Sequence, residues 1–286
     1  MSEVRVTDIH PTAVVHPQAH LDPGVRVGPY AVVGADVVIG AGTVLGPHVV
    51  IEDGTRIGRD NEIATGAVIG AVPQDRNFRG ERSFVRIGDR NRIREYANIS
   101  RATGEGLATV VGSDCYLMAY VHLGHNCQIG DRVVIVNTTQ LAGWVRVDDD
   151  AYVGGMSGIH QFCRVGRLAM VGGYSVVRQD APPFTMVVGQ PALVRGLNRV
   201  GLQRRGISPD DVLVLRRALR LLYGGRRGLR AGVAALRAQL GDHPLVQELI
   251  AFVEQSQSGG RGIARWSRNG APVVDEEGEP LPVDLP

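Results

Sequence analysis

Aliphatic side chains recur at every sixth position from Ile9 to Val177. The series breaks twice and resumes at Ile87 and at Val111. The next residue is often glycine, and the residue two positions earlier is usually small. Short flat strands joined at tight corners have this period, and three of them close one triangular coil of about 18 residues. The pattern therefore predicts an all-β solenoid, with loops inserted near 71–86 and 100–110 where the series is broken.

The pattern changes after Val177, and helical spacing begins at about residue 191. Ser208 followed by Pro209 and two aspartates is typical of a helix start. Two further helices are expected at about 227–240 and 244–255, and short helices of this kind would cap the open end of a solenoid. The predicted organisation is a β-helix over 1–190, a helical domain over 191–256 and a loosely ordered tail over 257–286.

Composition excludes several kinds of chemistry. The 31 basic residues are all arginine, so no side-chain amine is present for a Schiff base or a phosphate loop. The three cysteines, Cys115, Cys127 and Cys163, occupy small-residue positions of the repeat, which favours core packing over nucleophilic or metal-binding roles. No apolar run is long enough to span a membrane, and the first eight residues lack an apolar signal core. These features predict a cytoplasmic protein without a metal site.

The formal net charge of +2 conceals a strongly basic region. Arginines are concentrated between Arg195 and Arg237, where Asp210 and Asp211 are the only acidic residues. Such arginines are often a solvated helix face, but guanidinium groups also match phosphate geometry and attract acidic proteins. Because aromatic residues that would stack on bases are almost absent from this region, the pattern disfavours nucleic acid as the partner.

Histidines provide the candidate chemistry. His122 and His125 flank the inward-facing Leu123, and addition of one and two coil lengths to position 125 reaches Gly143 and Gln161. Adjacent coils should stack these residues about 4.8 Å apart. A histidine beside an exposed backbone N–H can act as a general base next to an oxyanion donor. The alternative is a polar ladder without catalytic function. The spacing of His160 does not favour a three-histidine zinc site.

Several specific stretches follow one another along the chain: Ile87–Glu95, His122–Gly130, Gly154–Met156 with His160–Cys163, Met170–Gly173, Gln179–Phe184 and Gly201–Gly206. This ordered set resembles the bacterial UDP-N-acetylglucosamine O-acyltransferases, hexapeptide-repeat enzymes of lipid A and lipopolysaccharide biosynthesis. The resemblance covers most of residues 8–268 and implies a left-handed parallel β-helix with a small C-terminal α-helical domain.

The resemblance also implies roles for individual residues. His125 would be the general base and Gly143 the oxyanion donor. The substrate-binding residues would be Gln74 and Asp75 for the sugar, His122 and His160 along the cleft, Gln161, Asn198, Arg204 and Arg205 for the UDP part, and Gly173 for the acyl chain. The donor would be a (R)-3-hydroxyacyl group on the phosphopantetheine of acyl carrier protein, with no other cofactor. Relatives of this kind are homotrimers whose clefts lie between subunits.

Four positions depart from the family pattern. Asn77 replaces a usual lysine, Asn126 a frequent aspartate, Trp144 a common histidine and Val200 a frequent glutamate. These differences keep two alternatives open. One is N-acylation of a UDP 3-amino sugar by the same machinery, and the other is a non-catalytic trimeric scaffold that binds acyl carrier protein. Asn126 also raises a question about support for the base, because an amide carries no charge to stabilise an imidazolium.

Overall fold

The computed structural model describes residues 6–225 and 228–267. Within this part of the chain, short strands form the three sides of a triangular prism, and the chain visits the sides in turn. Sheet one contains β1 (Asp8–Ile9), β4 (Arg26–Val27), β7 (Val44–Leu45), β10 (Glu62–Ile63), β13 (Arg92–Ile93), β16 (Tyr116–Leu117), β19 (Val134–Ile135), β22 (Tyr152–Val153), β25 (Met170–Val171), β27 (Thr185–Gly189) and β28 (Ala192–Leu197).

Sheet two contains β2 (Val14–Val15), β5 (Val32–Val33), β8 (Val50–Ile51), β11 (Val68–Ala71), β14 (Asn98–Ser100), β17 (His122–Leu123), β20 (Gln140–Leu141), β23 (Gly158–Ile159) and β26 (Val176–Val177). Sheet three contains β3 (His20–Leu21), β6 (Val38–Ile39), β9 (Thr55–Ile57), β12 (Phe84–Ile87), β15 (Ala108–Val111), β18 (Gln128–Ile129), β21 (Arg146–Val147) and β24 (Arg164–Val165). Neighbouring strands are parallel except β27 and β28, which form an antiparallel pair.

The core is the column of aliphatic residues inside the prism. In sheet two Ile51 pairs with Ile69, Ile69 with Ile99 and Ile99 with Leu123, and all four side chains are buried. Cys115, Cys127 and Cys163 are also buried, and desolvation raises the pKa of Cys115 to about 11 and those of Cys127 and Cys163 to about 12. The three thiols therefore stay protonated at neutral pH, and their side chains pack in the core.

The corners of the prism are numbered by the sheets that they join. The first corner joins sheets one and two, the second joins sheets two and three, and the third joins sheets three and one. Both inserted loops leave from the second corner: residues 72–83 connect β11 to β12, and residues 101–107 connect β14 to β15. The corner that holds residues 125 and 143 therefore also carries both loops.

The C-terminal part contains α1 (Arg199–Arg204), α2 (Pro209–Tyr223), α3 (Leu229–Leu240) and α4 (Pro244–Gly259). Ser208 caps α2 by accepting a hydrogen bond from the amide of Asp211 at 3.1 Å, as expected from the sequence. Leu219, Leu236 and Leu249 are buried where the last three helices meet. None of the helices in the described ranges has both the length and the apolar character needed to cross a membrane.

The domain limits differ from the expected ones at two places. Residues 192–197 form β28 and so extend sheet one, and helices begin only at Arg199. Residues 257–259 complete α4, and the chain then returns to the β-helix, where Ala264 donates a backbone hydrogen bond to Asp180 at 2.8 Å. The glycine-rich sequence of the segment after α4 gives no signal for such a buried backbone pairing. The rest of the expected tail, 268–286, lies outside the described residues.

Candidate active site

Three levels of the second corner stack in register. The amide of Trp144 donates to the carbonyl oxygen of His125 at 2.9 Å, and the amide of Phe162 donates to that of Gly143 at 3.2 Å. His125, Gly143 and Gln161 therefore occupy equivalent places in consecutive coils. His122 and His160 lie on or beside the adjoining edge of sheet two, next to β17 and β23 respectively.

The imidazole of His125 is held by the side chain of Asn126. Nδ1 of His125 lies 2.8 Å from Oδ1 of Asn126. The amide of Asn126 is itself fixed by Thr103, whose N–H donates to Oδ1 at 2.9 Å and whose carbonyl oxygen accepts from Nδ2 at 3.1 Å. Because Oδ1 only accepts, the network assigns the ring proton of His125 to Nδ1. Nε2 then carries the lone pair, as a general base requires.

Asp75, from the first inserted loop, faces the other nitrogen of the ring. Its Oδ2 lies 3.8 Å from Nε2 of His125, and the two side chains are only 16% and 12% exposed. The backbone N–H of Asn77 lowers the pKa of Asp75, with smaller contributions from the Thr103 hydroxyl and the nearby His125. Asp75 is therefore ionised at neutral pH, and its charge would stabilise an imidazolium formed at His125.

Gly143 lies directly beneath the His125 ring. A Cβ at this position would overlap the imidazole, nearest to Nε2. No hydrogen bond of the described residues uses the Gly143 N–H, and the same place in other hexads is taken by proline, as at Pro11, Pro17 and Pro23. Since the coil does not need an N–H here, that of Gly143 remains available close to the base.

His122 and His160 have different partners. Nδ1 of His122 lies 2.9 Å from Oδ1 of Asn98. Burial lowers the pKa of His122, and the nearby His125 lowers it further, which keeps His122 neutral at physiological pH. Nδ1 of His160 lies 2.6 Å from a guanidinium nitrogen of Arg261. Gln74 is exposed next to Asp75 in the first loop.

Of the residues expected to hold the UDP part, Gln161 lies at the second corner with His125, whereas the other three lie elsewhere in the chain. Arg205 pairs with Asp150 at the third corner at 2.8 Å, and Asn198 donates to the carbonyl oxygen of Leu168 at 2.9 Å. Arg204 ends the short helix α1 beside them. Sheet three lies between this corner and His125. Because one hexad of extended residues crosses a sheet, the distance between the third corner and His125 is roughly 15–20 Å. Gly173 lies at the first corner. A single chain therefore does not bring all the expected site residues together.

Sequence reasoning did not identify Thr103, Asn98 or Arg261 as contributors to the site. Thr103 lies in an inserted loop, and Arg261 lies in the stretch expected to be a loose tail, so neither position follows from the repeat. Of the departures from the family pattern, Asn77 supports Asp75 with its backbone N–H at 2.9 Å. Trp144 is exposed and stacks on Phe162 with ring centroids 6.3 Å apart.

Family models place this prism among the hexapeptide-repeat transferases. The bacterial transferase hexapeptide family model matches residues 36–71 and 108–143. The model of the second domain of UDP-N-acetylglucosamine O-acyltransferases matches residues 180–264.

Curated relatives and solved structures give the more particular family. The acyl-[acyl-carrier-protein]–UDP-N-acetylglucosamine O-acyltransferase of Gloeothece citriformis is 53% identical over 250 residues, which cover 87% of this chain and 90% of the relative. The Synechocystis protein of the same name is 53% identical over 248 residues, with the same coverage of both chains. The UDP-N-acetylglucosamine acyltransferase structure of Francisella novicida has a TM-score of 0.87 at 35% identity and covers 91% of this chain and 95% of its own.

A second solved structure, the UDP-N-acetylglucosamine O-acyltransferase of Moraxella catarrhalis, has a TM-score of 0.84 at 37% identity, with 90% of this chain and 99% of the other covered. The chain belongs to the UDP-N-acetylglucosamine O-acyltransferase family. It is an acyltransferase, and its fold is the left-handed parallel β-helix with C-terminal helices that the resemblance implies.

Asn126 provides a first test of this geometry. We expect Asn126→Ala to lower kcat roughly 10–100-fold, because it frees the His125 ring and leaves the Thr103 backbone groups unpaired, although the base itself remains. In Asn126→Asp, a carboxylate would stabilise the protonated imidazole, which is inactive as a base. The acid limb of the pH–kcat/KM profile should therefore move to higher pH. Wild-type kcat in the alanine variant and an unmoved limb in the aspartate variant would contradict the assigned role.

Proposed function

We propose that this enzyme transfers a (R)-3-hydroxyacyl group from acyl carrier protein to the 3-hydroxyl of UDP-N-acetylglucosamine, the first step of lipid A biosynthesis. The observation that carries the proposal is the arrangement around Nε2 of His125. An unprotonated nitrogen, an ionised carboxylate and an available backbone N–H converge at one corner. The names of the close relatives support the choice of donor and acceptor.

The chemistry follows from the protonation states. Nε2 of His125 removes the proton of the 3-hydroxyl as its oxygen attacks the thioester carbon. The negative charge that develops on the carbonyl oxygen is stabilised by the Gly143 N–H. The tetrahedral intermediate then collapses: the C–S bond breaks, the C–O ester bond remains, and the imidazolium returns its proton to the departing phosphopantetheine thiolate. All atoms and protons of the transfer are accounted for, and the proposed step uses no cofactor besides the phosphopantetheine of the carrier protein.

Asp75 compensates for the absence of a carboxylate at position 126. The imidazolium exists only between proton removal and proton return, and Asp75 lies 3.8 Å from the nitrogen that carries the added proton. A negative charge at this distance in a largely buried site favours the charged ring. Asn126 then orients His125, while Asp75 supplies the charge, so that the two tasks are divided between two residues.

We further infer that the complete site forms between two copies of the chain in a homotrimer. The base lies at the second corner, whereas Asn198, Arg204 and Arg205 lie at the third. In a cyclic trimer the second corner of one copy can meet the third corner of the next, and the same contact is repeated around the axis. This arrangement would place the guanidinium groups of one copy near a UDP-sugar whose hydroxyl contacts His125 of another.

The basic helical region fits an acidic carrier protein. Arg217 and Arg220 are exposed on α2, and Arg220 lies in its last turn. A local positive field of this kind increases the rate of encounter with a negatively charged partner and makes that rate sensitive to salt. We propose that this surface receives acyl carrier protein and directs its phosphopantetheine towards the site between copies.

The acceptor is tested by a direct comparison of two sugars. The full chain is incubated with a mixed pool of 3-hydroxyacyl-carrier proteins and either UDP-N-acetylglucosamine or its 3-amino analogue. Released carrier thiol gives the rate, and mass spectrometry of the product gives the bond and the acyl length. Near neutral pH a sugar amine is largely an ammonium ion, which has no lone pair to attack and would pair with the ionised Asp75, so we expect kcat/KM at least about tenfold higher for the hydroxyl sugar. A preference for the amine would favour amide formation, and binding without product would favour a scaffold.

A further inference from the structure

The segment after α4 is fixed to the last coil of the β-helix. Asp180 donates its backbone N–H to the carbonyl oxygen of Gly262 and accepts from the amide of Ala264, both at 2.8 Å. The side chain of Ile263 between them is buried. Tyr223 adds a further tie, because its hydroxyl donates to the carbonyl oxygen of Ala264 at 3.0 Å. The backbone next to Arg261 is therefore held in place by the fold.

Arg261 extends from this segment to the corner that carries the active site. Its Nε donates to the carbonyl oxygen of Gln161 at 3.0 Å, and its Nη2 lies 2.6 Å from Nδ1 of His160. The two contacts use two nitrogens of one rigid guanidinium and reach consecutive residues. Such a fork fixes orientation better than a single bond to a flexible side chain does.

The contact with Arg261 determines which nitrogen of His160 is protonated. A guanidinium donates hydrogen bonds and cannot accept them, so Nδ1 of His160 must carry a lone pair when it is bonded to Arg261. Nδ1 also lies 3.2 Å from the carbonyl oxygen of Gln161, and a bond there would require a proton on Nδ1. The two partners demand opposite tautomers. The shorter contact with a charged donor, and the fact that Arg261 already occupies the Gln161 oxygen, favour the lone pair on Nδ1.

We propose that Arg261 is a positioning residue that holds His160 as the Nε2–H tautomer, so that His160 offers the acceptor sugar nucleotide a hydrogen-bond donor. His125 is held by Asn126 in the opposite tautomer. The corner thus contains one imidazole that accepts a proton and one that donates a hydrogen bond. The kinetic consequence of this division rests on the proposed function, whereas the tautomer itself does not.

The tautomer is measured by NMR on the full chain labelled with ¹⁵N-histidine, at about pH 8, where imidazoles are largely neutral. The His160 signals are assigned by their loss in His160→Gln. In the wild type we expect the Nε2–H form of His160. In Arg261→Met, which keeps the aliphatic stem without a donor, Nδ1 is expected to gain the proton and bond to the Gln161 oxygen. Arg261→Lys retains a donor and should preserve the wild-type tautomer.

Steady-state kinetics test the consequence for binding. Arg261→Met should raise KM for the sugar nucleotide about tenfold, the value of one lost hydrogen bond, with kcat changed less than about threefold. Arg265→Ala is the matched control, since Arg265 is an exposed arginine of the same segment. Thermal unfolding of each variant separates a local effect from loss of the fold.

Three results would overturn the proposal: an Nδ1–H tautomer of His160 in the wild type, no change of tautomer in Arg261→Met, or an unaltered KM in a variant whose tautomer has switched. If the wild type does not turn over UDP-N-acetylglucosamine, the proposed function fails, but the NMR comparison still decides whether Arg261 sets the tautomer.

Discussion

His125→Ala is expected to lower kcat by about 10²–10⁴, the contribution of a positioned general base. The effect should be large because the variant removes the unprotonated nitrogen that lies beside both Asp75 and Gly143. KM for the sugar nucleotide should change much less, since proton removal occurs in the transition state. Carrier-thiol release under saturating substrates measures the loss.

The matched control for this variant is His20→Ala. His20 is an exposed histidine of β3, near the opposite end of the prism, and it contacts Asp22. We expect its kcat to remain within about twofold of wild type, as for most surface changes. Equal turnover by His125→Ala and the wild type would exclude His125 as the base.

Gly143→Ala is expected to lower kcat at least about 100-fold, although it adds only one methyl group. That methyl would overlap the imidazole of His125, and the ring cannot simply turn away, because Asn126 holds its Nδ1. Displacement of the ring by about 1 Å is enough for a loss of this size. The loss should appear mainly in kcat, and the melting temperature should fall by no more than a few degrees, because the added methyl displaces the His125 ring without changing the aliphatic core.

Gly259→Ala provides the matched glycine control, because an added Cβ meets nothing within 4 Å at that position. It should leave turnover and stability close to those of the wild type. If Gly143→Ala kept wild-type kcat, the close approach of ring and backbone would not matter for catalysis, and the oxyanion role of Gly143 would lose its geometric support.

The repeat is the part of the fold that sequence reasoning predicts best. One inward aliphatic residue in every hexad leaves little choice of structure, because each coil must bury the same column. The stacking of His125 over Gly143 follows from the same repeat, because the two residues are one coil of 18 residues apart. A fixed period converts sequence distance directly into spatial distance, which an irregular fold does not allow.

Other features depend on contacts that no period encodes. Residues 192–197 lie in β28 because they pair with β27, not because of a local signal, and α1 is too short to show helical spacing. Asn126 lacks the charge of a carboxylate, but Thr103 from an inserted loop orients its amide, and this contact is not encoded in the repeat. Arg261 reaches the site only because Asp180 anchors a glycine-rich segment. The contacts of Thr103 with Asn126 and of Asp180 with Gly262 join residues remote in sequence, whereas β27 and β28 form a local hairpin that lies outside the hexad repeat.

Subunit complementation decides whether the base and the UDP-binding arginine come from different copies of the chain, as we propose. His125→Ala and Arg205→Ala chains are assayed at a sugar-nucleotide concentration well below the wild-type KM, where loss of the base and loss of a UDP contact each lower turnover strongly. The two chains are then unfolded, mixed in equal amounts, refolded together and assayed under the same conditions. Random cyclic trimers should recover about a quarter of wild-type turnover, since one seam in four joins an intact His125 to an intact Arg205. Turnover no higher than the mean of the two separate variants would contradict a site shared between copies.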